Sequence, residues 1–303
     1  MDQFDQLFDQ LQKCCPDMEL LKQELMARHT TFRIGGPVPL MARPTNEEQV
    51  LACVRLAREN QIPLVVLGNG SNLLVADEGV QAFVLDMTGL SRLERTGERE
   101  ITVGAGVTLA RLASFAAGEG LTGLEFAGGI PGTLGGAVMM NAGAYGGEMV
   151  QVVRRTRCLT PEGAVKEIVG EEHDFSYRHS VFSQGEDVIL SSVLELEPGQ
   201  EEDIRAQMAE LAQKRKSKQP LESPSAGSMF KRPQGYFAAA LIDQCGLKGF
   251  TVGGAQVSEK HAGFVINRGG ATCADVLALV REVQRRVREQ TGVELEMEVR
   301  RLG

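Results

Sequence analysis

Residues 125–148 read EFAGGIPGTLGGAVMMNAGAYGGE. Glycine has no Cβ, so a chain this rich in it can bring its main chain close to a ligand and take positive φ at little steric cost. Ordering such a stretch costs conformational entropy, so a globular chain that keeps one needs a compensating use for it. The glycines are interleaved with Ile130, Leu134, Val138, Met139 and Met140. A disordered linker would carry serine, glutamine and charge instead. Two readings follow: tight turns between short buried strands, or a wall of backbone N–H groups laid against a flat or phosphorylated ligand.

A second glycine loop favours the wall. Residues 64–75 read LVVLGNGSNLLV, a β-branched run entering a Gly-x-Gly turn with Ser71 and Asn72 and leaving in another apolar run. Successive N–H groups in such turns form anion-binding nests. This is not the dinucleotide fingerprint, which needs a third glycine and a following helix; residues 73–76 show no helical period. One Gly-x-Gly is usually only a hairpin. Two loops after apolar runs point to a nucleotide cofactor held mostly by main chain.

The chain of 303 residues is long enough for two or three domains. Its net charge of −8 argues against nucleic-acid binding, so local cations must meet any anionic substrate. Cysteines 14, 15, 53, 158, 245 and 273 form no CxxC pair and no metal-ligand spacing, which reads as free thiols in a reducing cytoplasm. The acidic N-terminus shows no signal-peptide pattern, and no run of eighteen apolar residues suggests a membrane span.

Along the chain, Phe4, Leu7, Phe8 and Leu11, then Met18, Leu21 and Leu25, fall at helical spacing either side of Pro16. Residues 1–28 are therefore expected to form a helical appendage. Thr45 and Glu48 suggest a capping box for a helix over 46–60. Strands are expected at 64–67, 73–76, 82–86, 101–103 and within 152–169, with a helix from Thr108 through Gly118. Residues 200–218 read as a surface linker helix and 275–290 as the clearest helix of the C-terminal part. Residues 293–300 alternate as a last strand.

Three side chains stand out without being decisive alone. Ser228, in AGSMFKRP, is a turn serine with no Gly-x-Ser-x-Gly elbow around it, so an acyl-transfer nucleophile is disfavoured. Arg178, between Tyr177 and His179, is either a surface arginine or a preorganised carboxylate clamp. Glu298 shares a polar strand face with Glu294 and Glu296, where solvent exposure is the default. His261 reads as a structural hydrogen-bonder, and four histidines without a His-x-x-x-His spacing suggest no metal site.

The segments TFRIGG (31–36), LGNGSNL (67–73), GIPGTLGGA (129–137), NAGAYG (141–146), FSYRHS (175–180) and GSMFK (227–231) occur in one order. GGAQVS (253–258), HAGF (261–264) and EVR (298–300) follow. Together they resemble the UDP-N-acetylenolpyruvoylglucosamine reductase (UDP-N-acetylmuramate dehydrogenase) family in its shorter form, over nearly the whole chain. The resemblance implies an α+β fold. It consists of a two-lobed FAD-binding domain of the vanillyl-alcohol-oxidase/PCMH type over 29–198 (lobes 29–88 and 89–198) and a linker helix with an α/β substrate-binding domain over 199–303. It implies noncovalent FAD held by Arg33, Gly68, Asn69, Gly70, Ser71, Asn72 and Leu73, and by Ile130, Pro131, Gly132, Gly135, Gly136 and Ala137. A side chain at Gly70 is expected to intrude where main chain meets pyrophosphate.

The catalytic positions implied are Arg178, Ser228 as general acid, and Glu298. Tyr145, Tyr177 and Lys231 are implied for substrate, and Arg232 stands where many relatives carry asparagine. The reaction implied is NADPH-dependent reduction of UDP-N-acetylglucosamine enolpyruvate in peptidoglycan synthesis, by a cytoplasmic monomer. Two rivals are an FAD-linked oxidase and a non-catalytic nucleotide binder. Some oxidases of this wider fold attach FAD to a histidine near the first glycine loop, and residues 67–75 contain none. A pure binder has no use for Arg178, Ser228 and Glu298 together.

Overall fold

The computed structural model describes residues 2–303. By its contacts the chain forms two compact units, and the division does not follow chain order. One unit holds the chain up to Lys22 with Pro39–Asn69 and Ala82–Lys214. The other holds Gln23–Val38, Gly70–Gln81 and Arg215–Gly303. Residues 23–38 and 70–81, which a linear reading puts with the N-terminal part, therefore belong with the C-terminal part.

In the first unit, helix Gln3–Cys14 buries Phe4, Leu7 and Leu11, as their spacing requires. The helical expectation fails beyond Pro16. Glu19–Leu25 is a strand: Leu20 and Leu21 are half-buried while Leu25 is exposed, so no buried helical stripe forms, and pairing at the sheet edge decides. Strands Pro37–Arg43 and Leu64–Leu67 flank Phe83–Asp86 and run parallel to it, with Leu40 and Leu64 both opposite Phe83. Parallel neighbours need a crossover, and helix Glu47–Glu59 supplies it. Its cap lies one residue beyond the expected one. Asn46 accepts from the Gln49 N–H at 2.9 Å, and Gln49 Oε1 accepts from the Thr45 N–H at 2.7 Å.

The same unit carries a five-stranded antiparallel sheet in the order Val165–Val169, Val153–Leu159, Val188–Glu195, Glu100–Gly104, Leu93–Arg95. Helix Leu109–Gly118 starts at Thr108, whose Oγ1 accepts from the Arg111 N–H. The glycine-rich helix Leu134–Met139 packs on strands Glu100–Gly104 and Val188–Glu195. The central glycine stretch is thus docked on a sheet by Leu134 and Val138, both fully buried.

In the second unit, a sheet in the order Ser225–Ser228, Phe264–Asn267, Ala255–Val257, Thr251–Val252 is covered by helix Cys273–Thr291. That helix has a reciprocal cap between Thr272 and Asp275, a left-handed Gly292 at its end, and Val276, Leu279, Val280, Val283 and Val287 buried. The expected last strand is shorter than its alternation suggests. Residues 293–299 form no continuous strand, with one bridge from Met297 to Phe230, and only Arg300–Leu302 pairs continuously, parallel to Leu73–Val75. Alternating burial therefore arose from packing against a loop. Among the described residues no helix is long and apolar enough to cross a membrane.

Candidate active site

The two glycine loops meet within the first unit. Asn69 donates from Nδ2 to the Pro131 carbonyl at 2.6 Å, and a Cβ on Gly68 would collide with Thr133 Oγ1. The second loop is pinned from below by main chain. Leu109 N–H donates to Gly132 O at 3.0 Å, and the Gly135 and Leu134 N–H groups donate to Ala105 O and Val107 O, both at 2.9 Å. Above, Gly136 is exposed, and the space a side chain would take holds only Thr133 Oγ1, 4.0 Å away. A main-chain surface kept clear of side chains is what a cofactor's phosphate or ring edge needs. Gly68, Asn69, Gly132 and Gly136 suit that use, whereas the Ile130 and Gly135 N–H groups are spent on Ala127 O and Ala105 O, both at 2.9 Å, and Pro131 has no N–H to offer. Ala137 does not present itself the same way: it is buried, and its N–H is spent on Thr133 O at 2.9 Å.

The rest of the first loop belongs to the second unit. Gly70 has φ of 57°, and its O accepts from the Thr31 N–H at 3.3 Å. A Cβ there would strike the carbonyl oxygen of His29, so the chain's own backbone, and not open ligand space, is what forbids a side chain. Asn72 ties this loop to the C-terminal segment: its Nδ2 donates to Glu298 O at 3.3 Å, and its O accepts from the Arg300 N–H at 3.0 Å. Ser71 and Leu73 flank it, half-buried. Arg33 is exposed at φ 56° between buried Phe32 and Ile34. Its segment is anchored by Thr31 Oγ1, which donates to Ser225 O at 2.7 Å, on the strand that ends at Ser228.

Ser228 and Glu298 lie on adjacent segments. The Glu298 N–H donates to Met229 O at 2.9 Å, and the Met229 N–H donates to Gly263 O at 2.8 Å. Glu298 is half-buried, unlike its exposed strand-mates Glu294 and Glu296. Lys231 joins the same ladder through its N–H to Glu296 O, and its ammonium is paired with the Glu296 carboxylate. His261 accepts from the Gly263 N–H at Nδ1 and meets Phe264 edge-on, while burial pushes its pKa down. It supports the backbone beneath Met229.

Arg178 sits in the first unit, at the second position of a tight turn in which Ser176 and His179 exchange N–H···O bonds of 3.2 Å. Its φ is 56°, uncommon for a residue with a Cβ and a mark of a position fixed by its surroundings. Three contacts fix it. Asn141 Nδ2 donates to Ser176 O at 3.2 Å, and Ser180 Oγ and Ser183 Oγ donate to Met139 O at 2.9 and 2.8 Å. Tyr177 lies beside the guanidinium at 5.8 Å. Tyr145 and Gly146, at φ 55° and 89°, form the two-residue turn between paired Ala144 and Gly147. Tyr145 and Tyr177 both stand exposed. Asn141 is the residue that sequence reading overlooked. Its position inside NAGAYG was the available signal, since a lone buried amide amid glycines must find several backbone partners. Among the described residues no three His, Cys, Asp or Glu side chains are arranged for a metal ion.

Comparison with known proteins gives the family. The family profile "FAD binding domain" matches residues 38–169, and the profile "UDP-N-acetylenolpyruvoylglucosamine reductase, C-terminal domain" matches residues 219–302. An FAD binding domain followed by the C-terminal domain of a reductase defines an oxidoreductase that binds FAD. The chain belongs to the UDP-N-acetylenolpyruvoylglucosamine reductase family. It is 48% identical over 300 residues to the reductase of Agathobacter rectalis, covering 95% of each chain. To that of Geobacillus thermodenitrificans it is 44% identical over 303 residues, covering 100% of this chain and 99% of the relative. The crystal structure of the Thermus caldophilus reductase matches with TM-score 0.80 and 38% identity, over 94% of this chain and 99% of that one. An alkyldihydroxyacetonephosphate synthase, at 20% identity and TM-score 0.52 over 65% of this chain and 44% of its own, shares the fold alone.

Proposed function

We propose that the protein reduces UDP-N-acetylglucosamine enolpyruvate to UDP-N-acetylmuramate for peptidoglycan synthesis, with noncovalent FAD and with NADPH as reductant. The observation that carries the reading is the hydrogen bond from the Glu298 N–H to Met229 O, which sets a carboxylate and the Ser228 hydroxyl on neighbouring segments, in a chain of this family. FAD, when bound, would supply the hydride chemistry that links NADPH to the enolpyruvyl group. Gly68, Asn69, Gly132 and Gly136 would hold the cofactor. Arg33 and Gly70–Leu73 are the other positions this reading gives to the cofactor.

The remaining chemistry belongs to side chains. Hydride addition to one carbon of the enolpyruvyl double bond puts negative charge on the other carbon and on its carboxylate. Arg178, with a planar two-donor fork, meets that carboxylate and stabilises the charge. Ser228 delivers the proton from Oγ to the carbon that gains the electron pair. Glu298, as the carboxylic acid or through a bridging water, orients the substrate carboxylate, and Lys231 exchanges its Glu296 partner for the diphosphate. Tyr145 and Tyr177 line the substrate. Six free thiols fit a reducing compartment, and we place the reaction in the cytoplasm.

The test is anaerobic. The yellow protein should bleach on adding NADPH and recover its colour on adding the enolpyruvyl sugar nucleotide, with one product formed per flavin reoxidised. Recovery with oxygen alone, and none with the sugar nucleotide, would make it an oxidase. Colour that stays in the pellet after acid precipitation would overturn noncovalent FAD.

A further inference from the structure

Phe237 is the most exposed large apolar side chain of the described residues, at 60%, with Tyr236 beside it at 50%. Singly scattered surface apolar residues need no explanation, but two adjacent exposed aromatic rings form a patch, and a patch marks an interaction site. Phe237 is not loosely held. Helix Ala238–Gln244 begins at the next residue, with Ala238, Leu241 and Ile242 buried, so the ring's backbone is fixed. The guanidinium of Arg232 lies over the ring, 4.1 Å from its centroid. One face is therefore backed by a cation, and exposure leaves ring surface for a further partner.

The ring also stands close in the chain to the reacting hydroxyl. Met229 N–H bonds Gly263 O, and a Cβ on Gly263 would be 3.3 Å from the Cβ of Ala239, in the first turn of the helix that Phe237 opens. The segment from Ser228 through Lys231 and Arg232 to Phe237 so ends beside Gly263, whose O accepts from the residue after Ser228, within one unit. It carries, in order, a proton donor, two cations and a flat π-face. A nucleoside diphosphate ester presents a reacting group, two phosphates and a flat base in the same order.

We propose that Phe237, backed by Arg232, is the platform on which the pyrimidine base of the substrate stacks. This rests on the sugar-nucleotide reading above. Stacking recognises the base through its π-face, so it determines affinity for the nucleotide end and leaves the chemistry at the enolpyruvyl end untouched.

The holoenzyme with Phe237→Ala should show KM for the enolpyruvyl sugar nucleotide raised about tenfold or more, as expected for loss of one base–aromatic stack, with kcat and the rate of flavin bleaching by NADPH unchanged. UDP alone should raise the melting temperature of the wild-type holoenzyme and fail to raise that of the variant. Phe237→Leu keeps apolar bulk without a π-face and should resemble alanine. Phe237→Tyr should restore wild-type KM. Wild-type KM in the alanine variant, full rescue by leucine, or a loss confined to kcat would overturn the stacking role. A wild-type enzyme neither reoxidised by the sugar nucleotide nor stabilised by UDP would overturn the functional reading itself.

Discussion

Asn141 donates from Nδ2 to the carbonyl oxygen of Ser176, 3.2 Å away, and so fixes the turn that carries Arg178. Its second contact from the same nitrogen is to Glu148 Oε2 at 3.0 Å, and its Oδ1 accepts from the Val150 N–H at 2.9 Å. A single buried amide thus joins three loop segments. The glycine-rich stretch 125–148 acts on the arginine through this residue.

Asn141→Ala should therefore do two things. It leaves buried partners unpaired, at a cost of about 1–3 kcal/mol. It also releases the turn, so oxidation of the reduced flavin by substrate should slow while bleaching by NADPH keeps its rate. Urea denaturation and stopped-flow absorbance read the two effects. An unchanged reoxidation rate would detach Asn141 from the positioning of Arg178.

Arg178→Lys keeps the charge and loses the planar fork. Because a misplaced contact of this kind costs about 10²-fold, turnover should fall to that degree with FAD content unchanged. Wild-type turnover in the lysine variant would remove the carboxylate-clamp role.

Gly70→Val should fail as a fold variant before it fails as a cofactor variant. A β-branched residue at φ 57° is strained by roughly 1–2 kcal/mol, and its Cβ would strike the His29 carbonyl in addition. The flavin-free protein should melt well below wild type. A variant that melts like wild type when flavin-free, and has merely lost FAD, would contradict this.

His173 makes stability depend on pH. Its Nδ1 donates to Gly170 O at 2.9 Å, so neutral Nε2 accepts from Thr156 Oγ1 at 2.9 Å, and Thr156 in turn accepts from Ser192. Burial pushes its pKa below the usual histidine value. The unfolded chain then binds more protons than the folded one just below pH 6.5, so stability is full above that pH and falls as pH drops through it. The melting temperature should decline between pH 7.5 and 5.5, and less steeply in His173→Gln, which keeps one donor and one acceptor. Equal slopes in both proteins would exclude His173 as the cause.

Much of this was legible in sequence because local signals and tertiary packing agreed. Helix Cys273–Thr291 has its cap at Thr272, its stop at Gly292 and its valines in step. The glycine loops announced themselves by composition. Where packing alone decides, the sequence was silent. Glu19–Leu25 looks helical until sheet pairing claims it. Residues 293–299 alternate like a strand, yet they lie along the loop at 229–231 and pair with it at only a few points. Pattern placed Glu298 among exposed glutamates, and only the hydrogen bond to Met229 O shows why it differs. That Gly70–Gln81 belongs with the C-terminal unit depends on contacts far apart in sequence, such as Arg300 with Asn72, which periodicity does not encode.

Ser228→Ala divides the reaction most directly. Hydride transfer from NADPH needs no proton at the enolpyruvyl carbon, whereas completing the reduction of substrate does. In stopped-flow absorbance at the flavin band, the alanine variant should bleach with NADPH at the wild-type rate. Its reoxidation by the enolpyruvyl sugar nucleotide should slow by roughly 10²–10⁴-fold, with part of the loss recovered in Ser228→Cys. Equal slowing of both half-reactions would instead mean that Ser228 holds the cofactor or the fold, and would contradict its role as the proton donor.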